Sequence, residues 1–278
     1  MNVSSCAKAV KQPKGGYLPV RSFESFAIAD DEELYPEENV HSSIVGMVVD
    51  NLTRFKAGID RKDVFMTSFQ GGRSAEKAGI DGASERAIFH IMQITGDDDS
   101  SIVHACKAAT YEVWSRTAYN GYGWKGPDDI NPDKNTIHNI QMMLLRTEWW
   151  LDVFKPLVKT GFTFEPLEKA TQESFYEMII SGEGSWGGYT PTVNSGDGDY
   201  LTQKTMWELK TLKEKPKSKD SLQLLMYWIM GQHSGQEIYK SVDSLGFFNP
   251  RRFEIYIIKT KNIDPAVIRT VERDVIKY

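Results

Sequence analysis

Between residues 41 and 56, Val45, Val48, Val49, Leu52 and Phe55 recur at steps of three and four, which puts them on one face of an amphipathic helix. Helical signals continue for about a hundred residues, with shorter helices expected at 84–94 and 100–114 around the acidic turn Gly96-Asp97-Asp98-Asp99. Residues 119–127 read as a loop. Start signals at 132–135 open a long helix, with Ile137, Ile140, Leu144, Leu151, Phe154 and Val158 taken as its core side and Gly161 as its stop. After Gly161 the period changes. Residues 162–164 and 186–193 are short β-rich stretches separated by a helix expected at 167–180, and 200–212 reads as two strands around a turn. Residues 222–230 are apolar on nearly every side, so they are expected to pack under a sheet, with Gly231 as the cap. Residues 245–248 and 253–258 flank Asn249-Pro250-Arg251-Arg252 as a hairpin. The pattern predicts an α/β (α+β) chain in three parts: a loose, partly disordered tail at 1–40, a helical region at 41–160 and a sheet-containing core at 161–278.

Composition narrows the function classes. With 278 residues and 40% hydrophobic positions the chain can bury a sizeable core. No apolar run approaches the ~20 residues that span a bilayer, and the start MNVSSCAKAVKQPKGG lacks the apolar stretch of a secretory signal, so no membrane partner is expected. Cys6 and Cys106 are too few for a disulfide framework, and a reducing cytoplasm fits them. His104 and Cys106 have no second pair at ligand spacing, which argues against zinc. A net charge of −5 argues against coating nucleic acid through bulk charge and leaves room for a local basic stripe.

The stretch that carries chemistry is 196–210, GDGDYLTQKTMWELK. If the turn is centred on Gln203 and Lys204, paired residue numbers sum to 407 and Asp199 faces Glu208. Alternation puts Glu208 and Lys210 on one face, with Trp207 and Leu209 on the other, and places Asp197 opposite Lys210. Directly opposed carboxylates, with Cβ atoms ~4.5–5.5 Å apart, repel unless a cation lies between them. A divalent ion with oxygen ligands, Mg²⁺ or Mn²⁺, would resolve that conflict and could take a substrate phosphate oxygen. Lys210 beside it could orient or deprotonate an attacking water, or stabilise developing charge.

Asp199 followed after eight residues by Glu208-Leu209-Lys210 resembles the PD-(D/E)XK signature of restriction-endonuclease-like nucleases. Gln223-Leu224-Leu225-Met226-Tyr227 resembles the Q-x-x-x-Y helix of the RecB and lambda-exonuclease-like branch. The resemblance covers roughly residues 162–259 and departs from the pattern where Gly198 replaces the Pro of "PD". It implies a restriction-endonuclease-like core, a mixed sheet flanked by helices. It also implies hydrolysis of phosphodiester bonds, with DNA as the substrate and a phage or host-defence setting. Asp199 and Glu208 would hold the metal, Lys210 would assist the water, and Gln223 and Tyr227 would position water or phosphate. An upstream helix normally adds an acid; Asp50 in Ser43-Ile44-Val45-Gly46-Met47-Val48-Val49-Asp50 fits that place, with Glu148 and Glu165 as rivals.

Lys204, Lys213, Lys215, Lys217 and Lys219 surround the motif, where a phosphate backbone would lie; Lys204 and Lys213 are the named candidates for that contact. Trp114, Arg116, Tyr119, Tyr122 and Trp124 could stack on bases, although helix packing is the commoner use of such residues. Each feature has an ordinary counterpart: a solvated strand face for the acids and lysine, backbone satisfaction for Gln223 and Tyr227, an exposed helix acid for Asp50. Two other functions stay open, a nuclease fold turned binding or regulatory module and a two-carboxylate glycoside hydrolase, in which Lys210 would have no role. The sequence leaves open endo- or exonucleolytic cleavage, a homo-oligomer and the identity of any protein partner.

Overall fold

A computed structural model of the chain describes residues 1–30, 32–117, 124–165 and 187–278. The helix expected at 167–180, Trp186, Tyr119 and Tyr122 lie outside the described residues. The chain forms two compact units, one of Met1–Ala27, Pro156–Phe248 and Glu254–Tyr278, the other of Ile28–Lys155 and Asn249–Phe253.

The first unit is built on a five-stranded mixed sheet: β1 (Glu24–Ala27), β2 (Tyr200–Leu201), β3 (Thr205–Leu209), β4 (Ser244–Asn249) and β5 (Glu254–Lys259), in the order β1-β5-β4-β3-β2. β2 and β3 are antiparallel, as are β1 and β5, whereas β3 and β4 run parallel. Parallel neighbours need a crossover, and the helix Ser218–His233 lies within it. Its Leu222, Leu224, Leu225, Met226, Ile229 and Met230 are all buried, as continuous apolarity requires. The expected cap at Gly231 is corrected, because the helix runs on to His233 and Ser234 caps it. Gly231 instead faces the Tyr239 ring, where a Cβ would sit 3.0 Å from Cγ. Close approach, not termination, accounts for that glycine. Gly246 does similar service beside Trp207, its partner across β3 and β4, since a Cβ there would come within 2.4 Å of the indole.

The segment read as a loose tail is packed. Residues Val3–Ala9 form the first helix, α1, capped by the Asn2 side chain accepting from the Ser5 N–H, and bury Val3, Cys6 and Ala7 in the core of this unit. Glu24–Ala27 pairs with β5 as the outer strand. The β-rich reading of 162–164 reduces to one bridge, Phe162 with Gly198, next to a second between Val158 and Leu201.

The second unit is helical: α2 (Ser42–Lys56), α3 (Arg61–Val64), α4 (Met66–Lys77), α5 (Ala83–Met92), α6 (Asp99–Arg116) and α7 (Lys134–Phe154). The crossover helix Ser218–His233 is α8 in chain order, followed by α9 (Glu237–Lys240) and α10 (Pro265–Thr270). Asp98 caps α6 by accepting from the Ser101 N–H, and Asp133 caps α7 from Thr136. α7 ends earlier than Gly161, at Lys155 in the left-handed region (φ 46°). Its buried residues are Thr136, Asn139, Ile140, Met143, Leu144, Arg146, Thr147 and Trp150, a rotation from the expected face, of which only Ile140 and Leu144 are fully buried. Polar partners cause the shift: Asn139 is satisfied by the Tyr35 backbone and Thr147 by Thr53. α4 crosses α5 and α6 through Gly71 and Gly72, where a Cβ would lie 1.9 Å from the Tyr111 carbonyl oxygen and 2.5 Å from the Ala87 Cβ. Among the described residues no helix is long and apolar enough to cross a membrane.

Candidate active site

Tyr200 pairs with Trp207 and Leu201 with Met206, so paired numbers sum to 407 as the turn argument predicts. The turn is the two-residue form: the Thr202 N–H donates to the Thr205 carbonyl (3.0 Å) and the Thr205 N–H to Thr202 Oγ1 (3.1 Å). The pairing ends at Tyr200, and Asp199 lies in a bend immediately before it. Gly198 is fixed by the Phe162 ring, which a Cβ would approach to 2.1 Å, so the residue ahead of Asp199 must be glycine here.

Around this register the side chains form a connected line. Lys210 Nζ lies 2.8 Å from Glu208 Oε2 and donates to Gln223 Oε1 at 3.4 Å. The Gln223 amide nitrogen donates to the Tyr227 hydroxyl at 3.0 Å, the two residues lying one turn apart on α8. Asp199 Oδ2 accepts from the Leu209 N–H at 2.8 Å, which ties the acid to the strand that carries Glu208 and Lys210. The first unit thus brings together Asp199, Glu208, Lys210, Gln223 and Tyr227.

Burial and charge set the protonation of this group. The Glu208 side chain is 3% exposed and that of Lys210 20%. Burial pulls the Lys210 pKa down, but the carboxylates of Glu208 and Asp199 outweigh it, and the net shift is upward. That upward direction favours the ammonium form, which can donate to a water or stabilise developing negative charge. Tyr227 is raised well above its ordinary value, first by burial and then by the Glu208 carboxylate, against the opposing hydrogen bond from Gln223. It holds its proton at neutral pH and can act as a donor.

One participant has no counterpart in the motif reading. Ser4, on α1, accepts from the Gln223 amide nitrogen at 2.9 Å. Its signal was Val3, Cys6 and Ala7 at helical spacing after the capping Asn2, a pattern too short to stand out from a tail.

The other candidates have their own partners. Asp50 is on α2 in the helical unit and pairs with Arg54 at 3.1 Å. Glu148, on α7 in the same unit, pairs with Lys56, which also holds Asp97. Glu165 is exposed, and its carbonyl accepts from the Gln236 side chain. Lys204 sits in the exposed turn, four residues and ~13 Å of strand from Glu208, so it is not beside the acids as expected; Lys213 lies at their end of β3. Trp124 packs on Trp114 and Tyr111 with ring centroids 5.1 and 5.9 Å away, a packing role. His104 meets His90, not Cys106, which is buried.

Among the described residues no three His, Cys, Asp or Glu side chains converge as a metal-holding group. Only the Asp199 and Glu208 carboxylates offer ligand oxygens here, since the Lys210 ammonium beside Glu208 has no lone pair to give. That suits Mg²⁺, which is commonly held through one or two carboxylates with water and substrate oxygens completing its shell, better than a four-ligand structural zinc. No family model, curated protein or solved structure matches this chain.

Proposed function

We propose that the protein is a metal-dependent nuclease that hydrolyses phosphodiester bonds, in DNA by preference, at the Asp199–Glu208–Lys210 face. The observation that carries the proposal is the bonded line Glu208, Lys210, Gln223 and Tyr227 beside Asp199, assembled on a buried strand and a buried helix. A solvated strand face would not bury Glu208 or hold Lys210 between a carboxylate and an amide. Asp199 and Glu208 would hold Mg²⁺ or Mn²⁺, which when bound supplies Lewis-acid polarisation of the scissile phosphate. Lys210, held cationic, stabilises the negative charge that builds on the phosphate oxygens and orients the attacking water through its N–H groups. Tyr227, held protonated, donates to a phosphate oxygen or to that water, and Gln223 fixes both neighbours in place. The resemblance to PD-(D/E)XK nucleases supports the same assignment.

The test incubates purified protein with linear, circular and single-stranded DNA in Mg²⁺, Mn²⁺ or EDTA. Cleavage in either metal, lost in EDTA and in Asp199→Asn, is expected; asparagine keeps an acceptor for the Leu209 N–H, so the fold is retained. Folded wild-type protein that cleaves none of these in either metal overturns the proposal.

A further inference from the structure

Two stretches of this acidic chain are basic. Residues 1–23 carry Lys8, Lys11, Lys14 and Arg21 and no acid, a net charge of +4; residues 208–220 carry five lysines against Glu208, Glu214 and Asp220, a net charge of +2 in a chain of net −5, with Lys210 paired to Glu208 and Lys217 to Glu214. They are far apart in sequence and adjacent in the first unit. A Cβ at Gly16 would lie 2.5 Å from the Ser218 Cβ, the Ser221 hydroxyl donates to the Leu18 carbonyl at 2.5 Å, and Ser4 meets Gln223. The amino-terminal segment therefore runs along the first turns of α8, with Lys14 two residues from the Gly16 contact and Lys217 and Lys219 flanking Ser218. Lys8 is one helical turn from Ser4 on the same face of α1. Lys8, Lys11, Lys14, Lys215, Lys217 and Lys219 are all exposed.

Resting on the nuclease reading above, we infer that these two segments form one basic rim, half of it contributed by the amino-terminal segment, along which a nucleic acid backbone reaches the Lys210 site. Lysine contacts to phosphates hold a strand without reading its sequence. A membrane surface is the lesser fit. Within residues 1–23 and 210–219 the one large exposed apolar side chain is Met1, a single residue rather than the apolar face that insertion among lipid headgroups needs.

The rim is tested by binding in EDTA, where hydrolysis does not interfere. Anisotropy of a labelled 20-nucleotide single strand and of its duplex is titrated at salt concentrations from 50 to 200 mM. Lys8→Gln, Lys11→Gln and Lys14→Gln together are expected to weaken binding ~100-fold at 100 mM salt. They should also flatten the log affinity against log salt slope by ~2 for the single strand and ~3 for the duplex. The same positions changed to Arg should bind like wild type. Lys62→Gln, Lys77→Gln and Lys134→Gln, an equal loss of charge in the helical unit, should change little. The rim is overturned if the two glutamine triples behave alike, if the slope is unmoved, or if the wild type prefers anionic vesicles to oligonucleotides. Cleavage that proceeds with binding unaltered in the first triple sinks the rim and leaves the nuclease reading standing; salt-dependent binding through the rim without cleavage does the reverse.

Discussion

Replacing Lys210 by Met would remove the ammonium 2.8 Å from a carboxylate that is 3% exposed, while keeping most of the side-chain volume. At an effective dielectric of about 20 the lost attraction is roughly 6 kcal/mol before solvation is considered. Breaking a buried pair by deleting one partner costs about 3–5 kcal/mol, because the other charge stays buried. With one fifth of Lys210 exposed, and Asp199 adding to the uncompensated charge, we expect a loss of about 3 kcal/mol at pH 7. In a chain of this size that is a fall in Tm of about 6–12 °C, measured by calorimetry or tryptophan fluorescence. Two further measurements isolate the cause. The penalty should shrink as pH falls, since a protonated Glu208 no longer needs a cation, and Glu208→Gln combined with Lys210→Met should recover at least about 2 kcal/mol of the summed single losses. A Lys210→Met protein within 1 kcal/mol of wild type, or one whose loss is additive with that of Glu208→Gln, would refute the claim that the two form a buried pair. Lys210 is a poor choice for testing chemistry alone, because its removal leaves the buried Glu208 charge unpaired.

Other consequences follow from the same coordinates. His90 Nδ1 lies 2.9 Å from His104 Nδ1, and burial, then His104 and Lys107, with Arg86 adding and Asp128 opposing, push His90 down to about 4. The unfolded chain binds that proton more readily, so stability should decline as pH falls from 6.5 towards 4, by up to about 3 kcal/mol, and His90→Asn should flatten the Tm against pH curve; an unchanged slope would contradict the pairing. Gly198→Ala drives a Cβ into the Phe162 ring and should cost about 1–3 kcal/mol, with Phe162→Ala in the same chain suppressing the effect of the added methyl. Ser4→Ala leaves Gln223 one hydrogen bond short and should cost about 1 kcal/mol in urea unfolding, with Ser4→Thr close to wild type.

Much of the candidate site could be read from the chain alone because it depends on local rules. A two-residue turn fixes strand register, and alternation then decides which residues share a face, so local rules alone put Glu208 and Lys210 side by side. Continuous apolarity at 222–230 announced a buried helix for the same kind of reason, burial on every side. Other features answered to distant partners. Gly71 and Gly72 look like a break in a helix, yet they are where α4 touches α5 and α6, and only the neighbours reveal the need for bare backbone. The face of α7 was misjudged because Asn139 and Thr147 are buried by hydrogen bonds to Tyr35 and Thr53, which no apolar count contains.

Local pattern therefore determined the hairpin, its acids and the helix beneath the sheet, since each depends on residues within a few positions of one another. Tertiary structure decided that the amino-terminal helix packs into that core, that Ser4 meets Gln223 across 219 positions, and that Lys210 donates to Gln223 on α8. The reason is physical: periodicity reports which way a side chain points, whereas protonation and polar burial depend on what lies opposite, and here those partners come from remote parts of the chain.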